Sequence, residues 1–110
     1  MDMFKLSFPE PPLFYSHSDE DRFFQGFYML PEYVRITGVL PELTLELRQP
    51  PERETMLELI ALFTRYRIEL AYLRPAVAVL SDEDRIWFNR PEMFWHDGLC
   101  SDAQASDLPR

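Results

Sequence analysis

Ten prolines punctuate the 110 residues. Each locks its own backbone angle and donates no hydrogen bond, so their positions bound every regular element. Pro9, Pro11 and Pro12 crowd residues 1–17, Pro31 closes one segment, Pro50 and Pro51 stop another, and Pro75 and Pro91 break the C-terminal part. Residues 1–17 also carry Phe4, Phe8, Leu13, Phe14 and Tyr15. Proline with aromatics predicts an extended arm lying on the body.

Between these stops the hydrophobic spacing assigns the elements. Ser18 is placed to cap a first helix, with Asp19, Glu20 and Asp21 at the end where the helix dipole favours negative charge. Phe23, Phe24, Phe27 and Tyr28 then recur at helical spacing as one aromatic stripe. Tyr33 to Thr37 and Leu43 to Leu47 alternate in the manner of half-buried strands, and Gly38 to Glu42 supplies the connection of a hairpin. In the first strand Tyr33, Arg35 and Thr37 fall on one face, Val34 and Ile36 on the other. After Pro51, Met56, Leu59, Ile60 and Phe63 mark a second, longer helix to about Arg65. Tyr66–Leu73 fits a helical and a strand period equally, and Ala76 to Leu80 is too short to assign. Ser81 to Asp84 is acidic and turn-like, and its echo of Ser18-Asp19-Glu20-Asp21 reads as a second helix start with the same capping chemistry. Pro91 to His96 suits one further helical turn, and 101–110 reads as a flexible tail. The expected fold is α+β in one globular domain, residues 1–100: an N-terminal helix, a two-stranded antiparallel hairpin, a long amphipathic helix packed on it, and short C-terminal elements. Its core is Phe23, Phe27, Ile36, Leu45, Leu59 and Phe63.

Composition narrows the function. With 46% hydrophobic and 15% aromatic residues the chain is too apolar for intrinsic disorder. Nineteen acidic residues against eleven basic ones leave a net charge of −8, the wrong sign for autonomous nucleic-acid binding. No apolar run approaches the length of a signal peptide or the roughly 20 residues of a membrane helix, which predicts a cytoplasmic protein without membrane contact. One cysteine excludes an intrachain disulfide. His96 and Cys100 are four residues apart, as are Glu92 and His96, but structural zinc wants four ligands and a nucleophilic thiol wants firmer support than the edge of a tail. His96-Asp97 matches two residues of a metal-phosphohydrolase signature, too few to carry an assignment. The three glycines are too scattered for a phosphate-binding loop. Neither an enzymatic activity, a metal nor a cofactor is expected.

Charge and aromatics point instead to a protein partner. The clusters Asp19, Glu20, Asp21 and Asp82, Glu83, Asp84 are candidate contacts for a basic surface. Trp87 and Trp95 are candidate anchors, in the core or at an interface.

The run LELIALFTRYRI from Leu57, the pair Trp87-Phe88 and the triplet Phe94 to His96, preceded by SDEDRFF and an I-x-G hairpin, resemble a group of small bacterial proteins across residues 18–97. That resemblance implies a shared core of Leu59, Phe63, Tyr66, Trp87 and Trp95 and carries no activity. More loosely, the profile is similar to that of immunity proteins of bacterial contact-dependent inhibition, which are small, acidic, cytosolic and free of catalytic motifs. It implies an immunity or antitoxin protein that neutralises a basic toxin domain by direct binding. The alternatives are a housekeeping adaptor or homodimer using an aromatic face, and a small enzyme with a non-obvious site.

Overall fold

Alternation along β3 (Glu42–Leu47) decides the sheet. Leu43, Leu45 and Leu47 all turn inward and are buried, as the period of a half-buried strand requires. The computed structural model describes residues 3–39 and 41–100. In it β2 (Tyr33–Val39) pairs antiparallel with β3, the expected hairpin, but β3 is central and has a second neighbour. That neighbour is β1 (Phe4–Pro9), antiparallel to β3 with Leu6 opposite Leu45 and Phe8 opposite Leu43. The sheet therefore has three strands in the order β1-β3-β2 and not two, and a strand precedes the first helix. The α+β class stands, whereas the two-stranded, helix-first layout is corrected. The prolines mask β1: Pro9 sits at its last position on an edge strand, where a missing N–H costs no ladder bond. The visible signal was Phe4, Leu6 and Phe8 alternating with Lys5 and Ser7.

The register shifts between Tyr33 and Arg35, so Tyr33 lies opposite Leu47 and Arg35 opposite Glu46. Val34 is the extra residue of this bulge. One inserted residue switches the face of everything before it. Tyr33 thus joins Ile36 against the core, both partly buried, while Arg35 and Thr37 stay on the opposite face. The expected grouping of Tyr33 with Arg35 is corrected. That opposite face is polar, with Arg35 and Glu46 paired at 3.1 Å and the Ser7 and Thr44 hydroxyls 3.1 Å apart.

Two helices join the apolar face. α1 (His17–Tyr28) connects β1 to β2, a split β-α-β unit with β3 between its parallel strands. Its cap is Ser16, whose Oγ accepts the Asp19 N–H at 3.1 Å; Ser18 lies inside the helix and caps nothing. α2 (Arg53–Arg65) buries Met56, Leu59, Ile60 and Phe63, and ends where its periodicity predicts. Phe8 of β1 touches both helices, with ring centroids 5.7 Å from Phe27 and 4.8 Å from Phe63. Of the expected core, Phe23, Phe27, Leu45, Leu59 and Phe63 are fully buried and Ile36 only partly. The helices approach closely at Gly26, where an added Cβ would stand 2.5 Å from Leu62 Cδ2.

The start of α2 is held from a distance. Its N-cap residue Glu52 makes no side-chain capping bond. Instead the buried carboxylate of Glu32, in the turn before β2, accepts the Thr55 hydroxyl at 2.5 Å and the Glu52 N–H at 3.2 Å. A carboxylate at this end also suits the helix dipole.

The end of α2 resolves the ambiguity of Tyr66–Leu73. Arg67 has φ 64°, the Ile68 N–H reaches back to the Phe63 carbonyl at 2.8 Å, and the Arg67 N–H to that of Thr64 at 3.4 Å. This is a Schellman stop, with buried Ile68 supplying its apolar contact. The segment is thus neither more helix nor a strand: a 3-10 turn (Leu70–Leu73) packs beside β1 and passes into α3 (Arg74–Val77). The left-handed conformation strains any residue with a Cβ, by roughly 1–2 kcal/mol. Arg67→Gly should therefore raise stability by about 0.5–1 kcal/mol in urea denaturation, the gain reduced by the greater freedom of glycine in the unfolded chain.

Ser81 caps α4 (Asp82–Phe88) through the Asp84 N–H at 3.2 Å, so residues 81–84 open a helix, as their echo of residues 18–21 predicts. The next helical turn, α5, covers His96–Leu99; residues 91–95 ahead of it are irregular. Arg74 closes its end, donating from Nε to the Leu99 carbonyl and from Nη2 to that of Gly98 at 3.0 and 3.1 Å. The expected flexible tail, 101–110, lies outside the described residues.

Candidate functional site

Where α1 ends and α2 begins, the surface opens into a cleft of about 380 Å³. One wall is Gly26, Met29, Leu30 and Pro31, and the other is Leu57 with Glu54 and Glu58, with buried Thr55 between. Gly26 shapes the cleft by leaving out a side chain. Met29 is 80% exposed although it is large and apolar. Glu54 and Glu58 stand one helical turn apart, both exposed, and neither has an ion-pair partner among the described residues. Among the described residues no basic side chain lines the cleft. Sequence reasoning passed over this place because its walls come from two helices whose juxtaposition no local pattern encodes. Met29, two residues before Pro31, was the one visible hint.

The two acidic clusters lie at opposite ends of α2. Asp84 is bound to Arg53 at the first residue of α2, through Nε and Nη2 at 2.9 and 2.8 Å. The Asp19 carbonyl accepts the Tyr66 hydroxyl at 3.3 Å just past its last residue. At 1.5 Å per residue, about 20 Å of helix axis separates Arg53 from Tyr66. The clusters also differ in free charge. Asp82 pairs with Arg85, Asp84 with Arg53, and Glu83 stands 3.9 Å from Arg53. In the first cluster Asp19 accepts the Tyr15 N–H at 3.2 Å and borders a second cleft, about 360 Å³, with Arg65 and Arg67 on its wall. Glu20 and Asp21 are exposed and carry no ion pair among the described residues.

No family model, curated protein or solved structure matches this chain. Its surface must be read from its own chemistry.

The two tryptophans divide. Trp95 is buried, its Nε1 donating to the Phe88 carbonyl at 2.8 Å, so it is a core anchor. Trp87 is partly exposed and carries two guanidinium groups, Arg53 at 4.5 Å and Arg90 at 4.9 Å from its ring centroid. Arg53 therefore ties α2 to α4 twice, by charge to Asp84 and by cation–π contact to Trp87. Ile86 and Phe94 nearby in sequence are 72% and 69% exposed.

The nucleophile candidate is poorly arranged. The Cys100 thiol points to the Phe88 carbonyl at 3.6 Å, while His96 Nδ1 stands 3.5 Å from Asp97. Burial pushes the Cys100 thiol above its ordinary range, with Arg74 opposing, which disfavours the thiolate a nucleophile needs. Among the described residues no three His, Cys, Asp or Glu side chains converge on a metal-sized site, and no helix is long and apolar enough to cross a membrane.

Proposed function

We propose that this chain acts by binding: it is an acidic interaction protein of the immunity type, which neutralises a toxin domain by covering the basic surface that the toxin uses on its own substrate. The observation that carries this reading is the distribution of uncompensated acid. Glu20, Asp21, Glu54 and Glu58 are exposed without ion-pair partners among the described residues, on a chain of net charge −8. Such a field steers a basic partner and can raise association to about 10⁸–10⁹ per molar per second at low salt. Asp82 and Asp84 contribute less to steering, since arginines of the same chain neutralise them.

The test is stopped-flow association, at several salt concentrations, with a toxin domain taken from a neighbouring reading frame if that frame encodes one. The association rate should fall steeply between low and physiological salt, where charges more than about 8–10 Å apart become screened. The dissociation rate should change less. Replacing Asp19, Glu20 and Asp21 together by Asn, Gln and Asn should slow association. The same change at Asp82, Glu83 and Asp84 should act mainly on stability, through the lost Arg53–Asp84 tie. Salt-independent association, untouched by either triple variant, removes the electrostatic reading. The exposure of Ile86 and Phe94 would then favour the second one, an adaptor or homodimer that docks through its aromatic face.

A further inference from the structure

We infer that the cleft between the end of α1 and the start of α2 is a docking groove for a basic amphipathic helix of a partner protein. The inference rests on the binding function proposed above and goes beyond it by naming the groove and the chemistry of its occupant. The groove joins two features that separately mean little. Its apolar part, Met29, Leu30 and Leu57, includes a methionine held 80% exposed, and Met is an adaptable surface for an inserted apolar side chain. Its rim is the pair Glu54 and Glu58, with no basic residue among the described lining residues to satisfy them. Residues four apart on a helix have their Cβ atoms about 5–6 Å from each other. Two lysines or arginines four apart on a partner helix present the same interval, so both carboxylates can be met at once. An apolar residue on the stripe between those cations then enters the cleft, whose volume of about 380 Å³ lies in the range of ligand pockets, about 300–1,000 Å³. This is helix-in-groove recognition, with charge complementarity deciding against acidic or neutral helices.

The probe is a 14-residue peptide with the sequence LKKLLKL written twice, titrated into the full chain and followed by amide chemical shifts and by calorimetry. Saturable binding should shift the amides of Gly26 to Pro31 and of Glu54 to Glu58 first. Glu54→Gln with Glu58→Gln should weaken the peptide at least tenfold, with only a small shift in melting temperature from the lost first-turn charge of Glu54. Glu69→Gln with Asp97→Asn removes the same amount of charge outside the groove and should change affinity less than threefold. Met29→Ser should weaken binding, and a peptide with every Leu replaced by Ala should lose it. Equal weakening by the two charge-matched double variants, shifts spread over all acidic surfaces, or no saturable binding would each overturn the inference. The toxin domain separates this inference from the broader reading. Full neutralisation by the Glu54/Glu58 variant, with loss in the Asp19/Glu20/Asp21 variant, overturns the groove and leaves the immunity function standing. Peptide binding in the groove with no toxin neutralised by the wild-type chain supports the groove and removes the immunity function.

Discussion

Phe63→Ala should lower stability by about 3–5 kcal/mol, the usual result of emptying a buried aromatic site. Phe63 is fully buried on α2, and its ring lies 4.8 Å from that of Phe8 on β1. Its carbonyl also accepts the Ile68 N–H in the stop that turns the chain out of α2. Truncation leaves a void where a helix, an edge strand and the start of the C-terminal segment meet. Neither β1 nor the neighbouring backbone can collapse into that void without breaking its own hydrogen bonds. Domains of this size have roughly 5–15 kcal/mol of stability in total, so the variant stands near the unfolding threshold at 37 °C. Urea denaturation at 25 °C measures the loss. Phe63→Leu keeps most of the volume and should recover more than half of it. An unchanged denaturation midpoint for the alanine variant would mean that the α2 stripe is not core.

Glu32→Ala should have the second largest effect, about 2–4 kcal/mol, even though it removes a charge from an already acidic protein. A surface carboxylate in a chain of net charge −8 would be replaced at a gain. Glu32 behaves differently because it is 3% exposed and takes two hydrogen bonds at the start of α2, from Thr55 and Glu52. Without it a buried hydroxyl and a helix-end N–H lose their acceptor. Each such loss costs about 1–3 kcal/mol, and a small cavity adds to it. Glu32→Gln retains an acceptor oxygen and should be milder. Thr55→Val leaves the carboxylate in place while removing one donor, and should fall between wild type and Glu32→Ala. Denaturation of the three variants, with helicity followed by circular dichroism, tests the order. A Glu32→Ala variant as stable as the parent would show that solvent caps α2 equally well.

Local periods made much of the molecule legible. The Leu43–Leu45–Leu47 alternation, the Phe23–Phe27 stripe and the helix to Arg65 follow from side-chain spacing within a single element, and the structure keeps them. The same holds for acidic residues placed at helix starts, although the cap of α1 falls two residues earlier, on Ser16. The features that eluded sequence reasoning are those whose partners lie far away in the chain. β1 exists as a strand because β3, some forty positions later, offers it an edge; its own prolines argue the other way. The Val34 bulge moves Tyr33 onto the core face, which an uninterrupted alternation cannot reveal.

The site divides along the same line. The net charge, the two acid-rich segments and the pair of tryptophans are legible along the sequence, and the proposal of a protein partner starts from them. Which carboxylates stay free depends on where the arginines land. Arg53 neutralises Asp84 across 31 positions and at the same time covers Trp87, while Glu54 and Glu58 on the same helix are left facing the cleft. Hydrophobic spacing and capping act over a few residues and can be read in order along the chain. Ion pairing, strand pairing and the close approach of α1 to α2 at Gly26 are contacts between distant segments, and only the packed core brings those segments together.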